Sequence, residues 1–137
     1  MTPHQVHLVQ STFELVLPIA DDAAIIFYDD LFTRAPELRS LFAEDMTEQR
    51  VKLMKTLGVA VNALADWESV APTVAELGAK HAGHGARAED YATVGAALLQ
   101  TLATGLGETF TDEVAAAWAE YFEVVASTML AGQRAAA

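Results

Sequence analysis

The stretch FYDDLFTRAPELRSLFAEDMTEQRVKL, residues 27–53, carries the pattern that decides the fold. Its first part belongs to a predicted helix whose apolar residues recur at helical spacing on one side. That helix must end before Pro36, because proline disfavours helical geometry in the residue that precedes it. A short helical turn then leads to Phe42, a polar loop follows, and Thr47 is predicted to cap a long helix. Helix, turn and helix follow one another without β-type alternation, so the sequence predicts an all-α structure.

The rest of the chain continues the helical pattern. Alanine, the best intrinsic helix former, fills 27 positions. Thr2-Pro3 has the form of a helix start, and Ser69 is predicted to cap a later helix that carries His81 near its end. The last helix is predicted to end at Gly132. We therefore expect six to eight helices in one domain spanning residues 1–137, with residues 132–137 as a frayed tail.

The charge balance narrows the classes of partner. The chain has 8 Lys and Arg against 19 Asp and Glu, which gives a formal net charge of −11. Such a charge argues against nucleic acid or an anionic membrane surface as the main partner. The sequence also lacks a signal-peptide pattern, and its longest charge-free stretch, residues 91–107, contains threonines, a glutamine and glycines that are typical of a buried helix rather than a membrane span, so no membrane association is expected. A cytoplasmic protein is the default prediction.

The chain has no cysteine, and any metal chemistry therefore falls first on its four histidines. His81 shares a helix face with Leu77, one turn earlier. A histidine near a helix end can offer one ring nitrogen to a metal while the other donates to a backbone carbonyl. The alternative is a half-exposed histidine that interacts with the helix dipole. His4 and His7, three residues apart, are expected on a solvated face, and His84 is expected to face solvent.

A second group of candidate residues combines a tyrosine with three residues on one face of a predicted helix. Gln49, Leu53 and Leu57 lie four residues apart on one helix face, which begins polar and becomes apolar. This pattern suits the mouth of a pocket, but Gln49 could equally be a surface residue at a helix end. Tyr28 lies in an apolar run, so its hydroxyl is expected to be buried and to need a hydrogen-bond partner.

The order of these features resembles a known family. In chain order they are Phe27-Tyr28, Pro36, Leu41-Phe42, Gln49-x-x-x-Leu53, Lys80-His81, Tyr91-x-x-Val94-Gly95 and Trp118. Each is weak alone, but together they resemble the globin family, in particular the bacterial single-domain globins and the haem domain of flavohaemoglobins. The resemblance covers about residues 5–132. It implies a globin fold, with eight helices packed at about 50° around a haem pocket.

The resemblance implies roles around a bound haem b. His81 matches the proximal ligand of the haem iron, and Phe42 matches the phenylalanine that packs on the haem ring. Tyr91 matches a tyrosine beneath the haem. The further expected haem contacts are Leu57, Leu77, Val94 and Leu98.

On the distal side the resemblance implies a ligand-binding group formed by Tyr28, Gln49 and Leu53. Bound oxygen carries partial negative charge, and the tyrosine hydroxyl and the glutamine amide are both donors that can meet it. Two donors imply tight oxygen binding, whereas carbon monoxide gains less charge and should benefit less. A glutamine at this position excludes a second histidine ligand there.

One residue departs from the flavohaemoglobin pattern. Those proteins carry a glutamate on the last helix that completes a proximal His–Tyr–Glu network, whereas this chain has Gln133 at the aligned position. A neutral amide cannot push electron density toward the iron as a carboxylate can, so peroxidase-like activation is not expected unless another carboxylate, such as Glu123, replaces it.

The sequence therefore predicts a globin that reversibly binds O2, NO and CO and has no dedicated catalytic residue. One alternative is nitric oxide dioxygenation, which would need a separate reductase because 137 residues correspond to about one globin domain. A second alternative is a haem-free globin-like sensor or interaction domain, against which His81 argues. Both a monomer and a homodimer are compatible with the sequence.

Overall fold

The structure is a computed structural model that describes the backbone of residues 1–83 and 88–136 and the side chains of residues 1–80 and 89–134. Within these residues the chain forms six α-helices, four short 3-10 segments and no strand, which confirms the predicted all-α class. The α-helices are α1 (Pro3–Val16), α2 (Ala20–Arg34), α3 (Thr47–Asn62), α4 (Trp67–Gly83), α5 (Ala88–Leu106) and α6 (Asp112–Ala136). The 3-10 segments are Leu17–Ile19, Pro36–Leu41, Ala63–Asp66 and Gly107–Thr109.

The first helix begins as the sequence predicts. The Thr2 hydroxyl accepts a hydrogen bond from the Gln5 backbone N–H at 3.1 Å, and the Gln5 side chain accepts one from the Thr2 N–H at 3.0 Å. Pro3 occupies the first helical position, where no partner for a backbone N–H is needed. This reciprocal cap satisfies two of the donors that a helix start leaves free.

Three predicted helix boundaries are wrong. Thr47 is the first residue of α3, and Met46 occupies the cap position instead. The backbone N–H and the hydroxyl of Thr47 both donate to the Asp45 carboxylate. Ser69 lies inside α4, and its hydroxyl contacts the backbone and side-chain oxygens of Asp66 instead. Helix α6 continues to Ala136, past the Gly132 end that the sequence suggests.

The main core joins the two ends of the chain. Trp118 of α6 is fully buried, and its indole N–H donates to the Thr12 hydroxyl of α1 at 2.9 Å. That hydroxyl in turn donates to the Leu8 carbonyl at 2.6 Å. The buried tryptophan is thus satisfied by a threonine that has an acceptor of its own. No helix in the described part of the chain is long and apolar enough to cross a membrane.

Helices α4 and α6 meet at main-chain distance. A Cβ atom built on Gly78 would lie 2.0 Å from the Met129 carbonyl oxygen, and one built on Gly132 would lie 2.0 Å from the Ala75 carbonyl oxygen. Glycine is therefore the only residue that fits at either position. Helices α4 and α6 also contribute Val74 and Met129 to a second, smaller core cluster, which Tyr91 of α5 completes.

Candidate ligand-binding site

The centre of the candidate site is a buried tyrosine within a group of aromatic rings. Tyr28, on α2, has only 6% of its surface exposed. The rings of Phe27 and Phe42 meet it edge-on at centroid distances of 5.0 and 5.6 Å, and Phe32 stacks on it at 5.8 Å. Helix α3 packs against α2 and brings Gln49 to the tyrosine, where the amide Nε2 donates to the hydroxyl oxygen at 3.0 Å.

This arrangement sets the hydrogen-bonding capacity of the Tyr28 hydroxyl. Burial raises the pKa of Tyr28, and the hydrogen bond from Gln49 opposes that shift only in part. The hydroxyl is therefore neutral near pH 7 and keeps its proton. The oxygen accepts from Gln49, while the hydroxyl hydrogen has no acceptor among the residues that the structure describes. It remains free to donate to a small ligand.

The role of Gln49 is more specific than the sequence suggests. The sequence leads us to expect two donors that face a ligand side by side. In the structure the Gln49 amide donates to the Tyr28 oxygen, an arrangement that can orient the hydroxyl. Gln49 is half-buried at the start of α3, which places it between the aromatic group and the surface.

Most of the predicted apolar contacts belong to, or pack against, the main core that contains Tyr28. Leu98 of α5 is buried in the main core. The other side chains are half-buried and pack against that core; they are Phe42, Leu53, Leu57 and Val94. Their exposed parts are apolar surface of the kind that a flat apolar group can cover.

A second set of predicted residues lies with the smaller cluster. Tyr91 is buried there, and half-buried Leu77 packs beside it. The Tyr91 hydroxyl has no hydrogen-bond partner among the described residues, and burial raises its pKa. The carbonyl oxygen of the Gln133 amide is likewise buried without a partner in the described structure.

The structure describes only part of His81 and none of His84. The backbone of His81 lies near the end of α4, but its side chain falls outside the described residues. His84 lies outside them altogether. The predicted ligand role of His81 therefore stays a prediction.

The residues present fit a haem group. Buried hydroxyls that lack a partner cost roughly 1–3 kcal/mol each, so native proteins rarely keep them without a function or a missing ligand. Among the described residues, the Tyr91 hydroxyl has no hydrogen-bond partner and the Tyr28 hydroxyl hydrogen has no acceptor. The two hydroxyls belong to the two separate core clusters, and each, with its apolar neighbours, is compatible with a large apolar group that carries a small polar ligand.

Sequence reasoning missed two residues near this site. Arg39 donates to consecutive backbone carbonyls after Phe42, and the Asp45 carboxylate accepts from the backbone N–H of Thr47, the first residue of α3. A charged residue in or beside a short connecting segment gives no signal of such contacts in the sequence. Far from the site, His4 pairs with Glu113 on the exposed surface, and the described residues contain no group of three or more metal-binding side chains.

Comparison with known proteins agrees with the geometry. The family model described as Globin matches residues 25–129, a range that includes every residue predicted for the site. A flavohemoprotein of Bordetella parapertussis is 32% identical over 139 residues, which cover 98% of this chain and 34% of the relative. The chain thus spans about a third of the length of that relative.

Two solved structures share the fold. A bacterial globin from Campylobacter jejuni superposes with a TM-score of 0.86 at 20% identity, covering 98% of this chain and 97% of that one. An engineered carbene transferase, described as a putative nitric oxide dioxygenase from Rhodothermus marinus, gives a TM-score of 0.87 at 22% identity, covering 98% and 94%. The predicted resemblance is confirmed over nearly the whole chain, and the protein belongs to the globin family.

Proposed function

We propose that this chain is a haem-binding globin that binds a diatomic ligand, chiefly oxygen, next to Tyr28. The observation that carries this proposal is the Tyr28 hydroxyl, which accepts from Gln49 while its own hydrogen has no acceptor in the described residues. A neutral, buried donor of this kind suits a ligand that gains negative charge on binding. The globin family to which the chain belongs implies a haem cofactor.

The residues on the two sides of the candidate site would have different roles. His81 would supply the ligand to the haem iron, and Phe42 and Leu98 would contact the porphyrin with the other apolar residues described above. The haem would supply the iron that binds the gas. Tyr28 would contribute the donor, and Gln49 would hold the hydroxyl in the orientation that points its hydrogen away from α3.

This arrangement favours oxygen over carbon monoxide among the ligands expected from the sequence. Oxygen gains more negative charge than carbon monoxide on binding, so a donated hydrogen bond stabilises it more. The surrounding rings of Phe27, Phe32 and Phe42 keep water from competing for that hydrogen bond. Slow oxygen release is the expected result.

The visible spectrum of the purified chain after addition of haem tests the proposal. We expect a Soret band in the ferric and ferrous forms and a further shift when oxygen is added to the ferrous form. His81→Ala should lose the ferrous spectrum of a histidine-bound haem. Absence of any Soret band after reconstitution would refute haem binding, and normal ferrous coordination in His81→Ala would refute the ligand assignment.

A second candidate function is nitric oxide dioxygenation. It is favoured by the similarity of the fold to the Rhodothermus marinus protein, described as a putative nitric oxide dioxygenase. In that reaction nitric oxide and oxygen would be converted to nitrate at the haem, which would have to receive one electron per turnover. A separate reductase would supply that electron. Multiple-turnover consumption of nitric oxide with a reductase present would support the enzymatic function, whereas consumption of a single equivalent would contradict it.

A further inference from the structure

Arg39 makes an unusual set of contacts for a half-buried side chain in a connecting segment. It lies in the 3-10 segment that ends just before Phe42. Its Nη1 donates to the carbonyl of Ala43 at 2.9 Å and more weakly to that of Phe42 at 3.4 Å, and its Nη2 donates to the carbonyl of Glu44 at 2.9 Å. The planar guanidinium thus holds three consecutive backbone carbonyls of the segment that follows the 3-10 turn.

The same guanidinium also contacts the aromatic group around Tyr28. Its central carbon lies 5.4 Å from the centroid of the Phe32 ring, a distance at which a cation is attracted to the ring face. The Phe32 ring in turn lies 5.5 Å from the Phe42 ring and 5.8 Å from the Tyr28 ring. Arg39 is therefore connected to Tyr28 both through Phe32 and through the backbone of Phe42.

The segment that Arg39 holds leads directly into the helix that carries Gln49. Past Glu44, the Asp45 carboxylate accepts from the Thr47 N–H at 2.9 Å and from its hydroxyl at 2.7 Å, which fixes the first turn of α3. Gln49 lies in that first turn. The segment 42–46 is thus held by Arg39 at one end and by Asp45 at the other, with no regular hydrogen-bonded structure between them.

We propose that Arg39 is a positioning residue for the Tyr28–Gln49 pair, because it holds the backbone that carries the Phe42 ring and leads into α3. This inference rests on the proposed function, since the pair acts on a ligand only if the chain binds one. Arginine suits the position because its separate nitrogens reach separate carbonyls in one plane, whereas the single ammonium of a lysine cannot reproduce this fork.

Three variants of the full chain separate this role from a general effect of charge. Arg39→Met keeps the apolar stem and removes every donor, and Arg39→Lys keeps the charge without the fork. Arg34→Met is the matched control, because Arg34 pairs only with Asp30 one turn earlier on α2 in the described structure. Circular dichroism of each variant checks that the helices are retained.

The first measurement is amide hydrogen exchange in the haem-loaded chain, followed in peptides that cover residues 42–50. We expect exchange about tenfold faster in Arg39→Met, because charge-assisted hydrogen bonds to the segment are lost. Arg39→Lys should lie between Arg39→Met and the wild type, and Arg34→Met should match the wild type. Unchanged exchange in Arg39→Met would overturn the inference.

The second measurement is the rate of oxygen dissociation. We expect Arg39→Met to raise it by about three- to tenfold, with Arg39→Lys again intermediate. In a Tyr28→Phe background the same substitution should add little, since the donor it positions is already gone. Faster exchange with an unchanged oxygen rate, or an equal effect in Arg34→Met, would overturn the inference. A wild-type chain that binds no oxygen would instead refute the proposed function on which it rests.

Discussion

Tyr28→Phe removes the proposed donor and leaves the rest of the ring in place. The Tyr28 ring packs against three other aromatic rings, and these contacts do not need the hydroxyl. A hydrogen bond to a charged partner contributes about 1.5–3 kcal/mol, and each 1.36 kcal/mol corresponds to a factor of ten. Oxygen dissociation from the haem-loaded chain should therefore accelerate by about 10- to 150-fold, whereas carbon monoxide dissociation should change much less.

The hydrogen bond between Gln49 and Tyr28 makes this prediction sharper. If Gln49 acts by orienting the hydroxyl, Gln49→Val should also accelerate oxygen dissociation, but the double variant should release oxygen about as fast as Tyr28→Phe alone. If the two side chains bind the ligand independently, their effects on the activation free energy should add. The non-additive result is expected from the 3.0 Å contact between the two side chains.

Stopped-flow replacement of oxygen by carbon monoxide measures these rates directly. Tyr121→Phe is a suitable control, because it removes another buried hydroxyl from α6, where the ring packs at 5.2 Å from Trp118. That control should leave oxygen dissociation unchanged. An unchanged rate in Tyr28→Phe would refute the donor role, and additive effects in the double variant would refute the orienting role of Gln49.

Three further predictions concern stability. Gly78→Ala should lower the free energy of unfolding, measured by urea denaturation, by at least about 2 kcal/mol, because the new methyl group meets a main-chain oxygen that cannot move aside. Gly58→Ala is the control, because its methyl group would meet only a side chain at 3.4 Å. Thr12→Val should cost about 1–3 kcal/mol in the same assay, since it leaves the buried indole N–H of Trp118 without an acceptor. The backbone N–H of Thr47, and then its hydroxyl, donate to the Asp45 carboxylate and lower its pKa from the usual 3.8. The contribution of this carboxylate to stability is therefore complete above that pH and is lost as the pH falls further. The acid-induced decrease in the free energy of unfolding should be smaller in Asp45→Ala, and the same dependence of that free energy on pH in both proteins would contradict this assignment.

The helices were predictable from local pattern. Pro36 ends α2 because of its own covalent geometry, and Thr2-Pro3 begins α1 through contacts within one turn. The cap of α3 was not predictable in the same way. Thr47 and Asp45 are both residue types that favour the cap position, but in the folded loop Met46 occupies it and Asp45 accepts from Thr47 instead.

The candidate site was predictable as a set of residues and not as a set of contacts. Tyr28 and Gln49 were singled out from burial, helix spacing and family resemblance. Their hydrogen bond spans 21 positions in the chain and depends on how α2 packs against α3. Arg39 gave no signal at all, because its partners are backbone carbonyls that any sequence would supply.

The glycine contacts between α4 and α6 have a mechanical consequence for the helix that carries His81. Gly78 lies less than one turn before His81, and there the two backbones touch without intervening side chains. Long side chains between helices can change rotamer and absorb small shifts, but main-chain atoms in contact cannot. A displacement of the end of α4 must therefore move α6 with it. Because α6 carries the buried Trp118 that is bonded to α1, such a displacement would reach the first helix of the chain as a rigid-body movement.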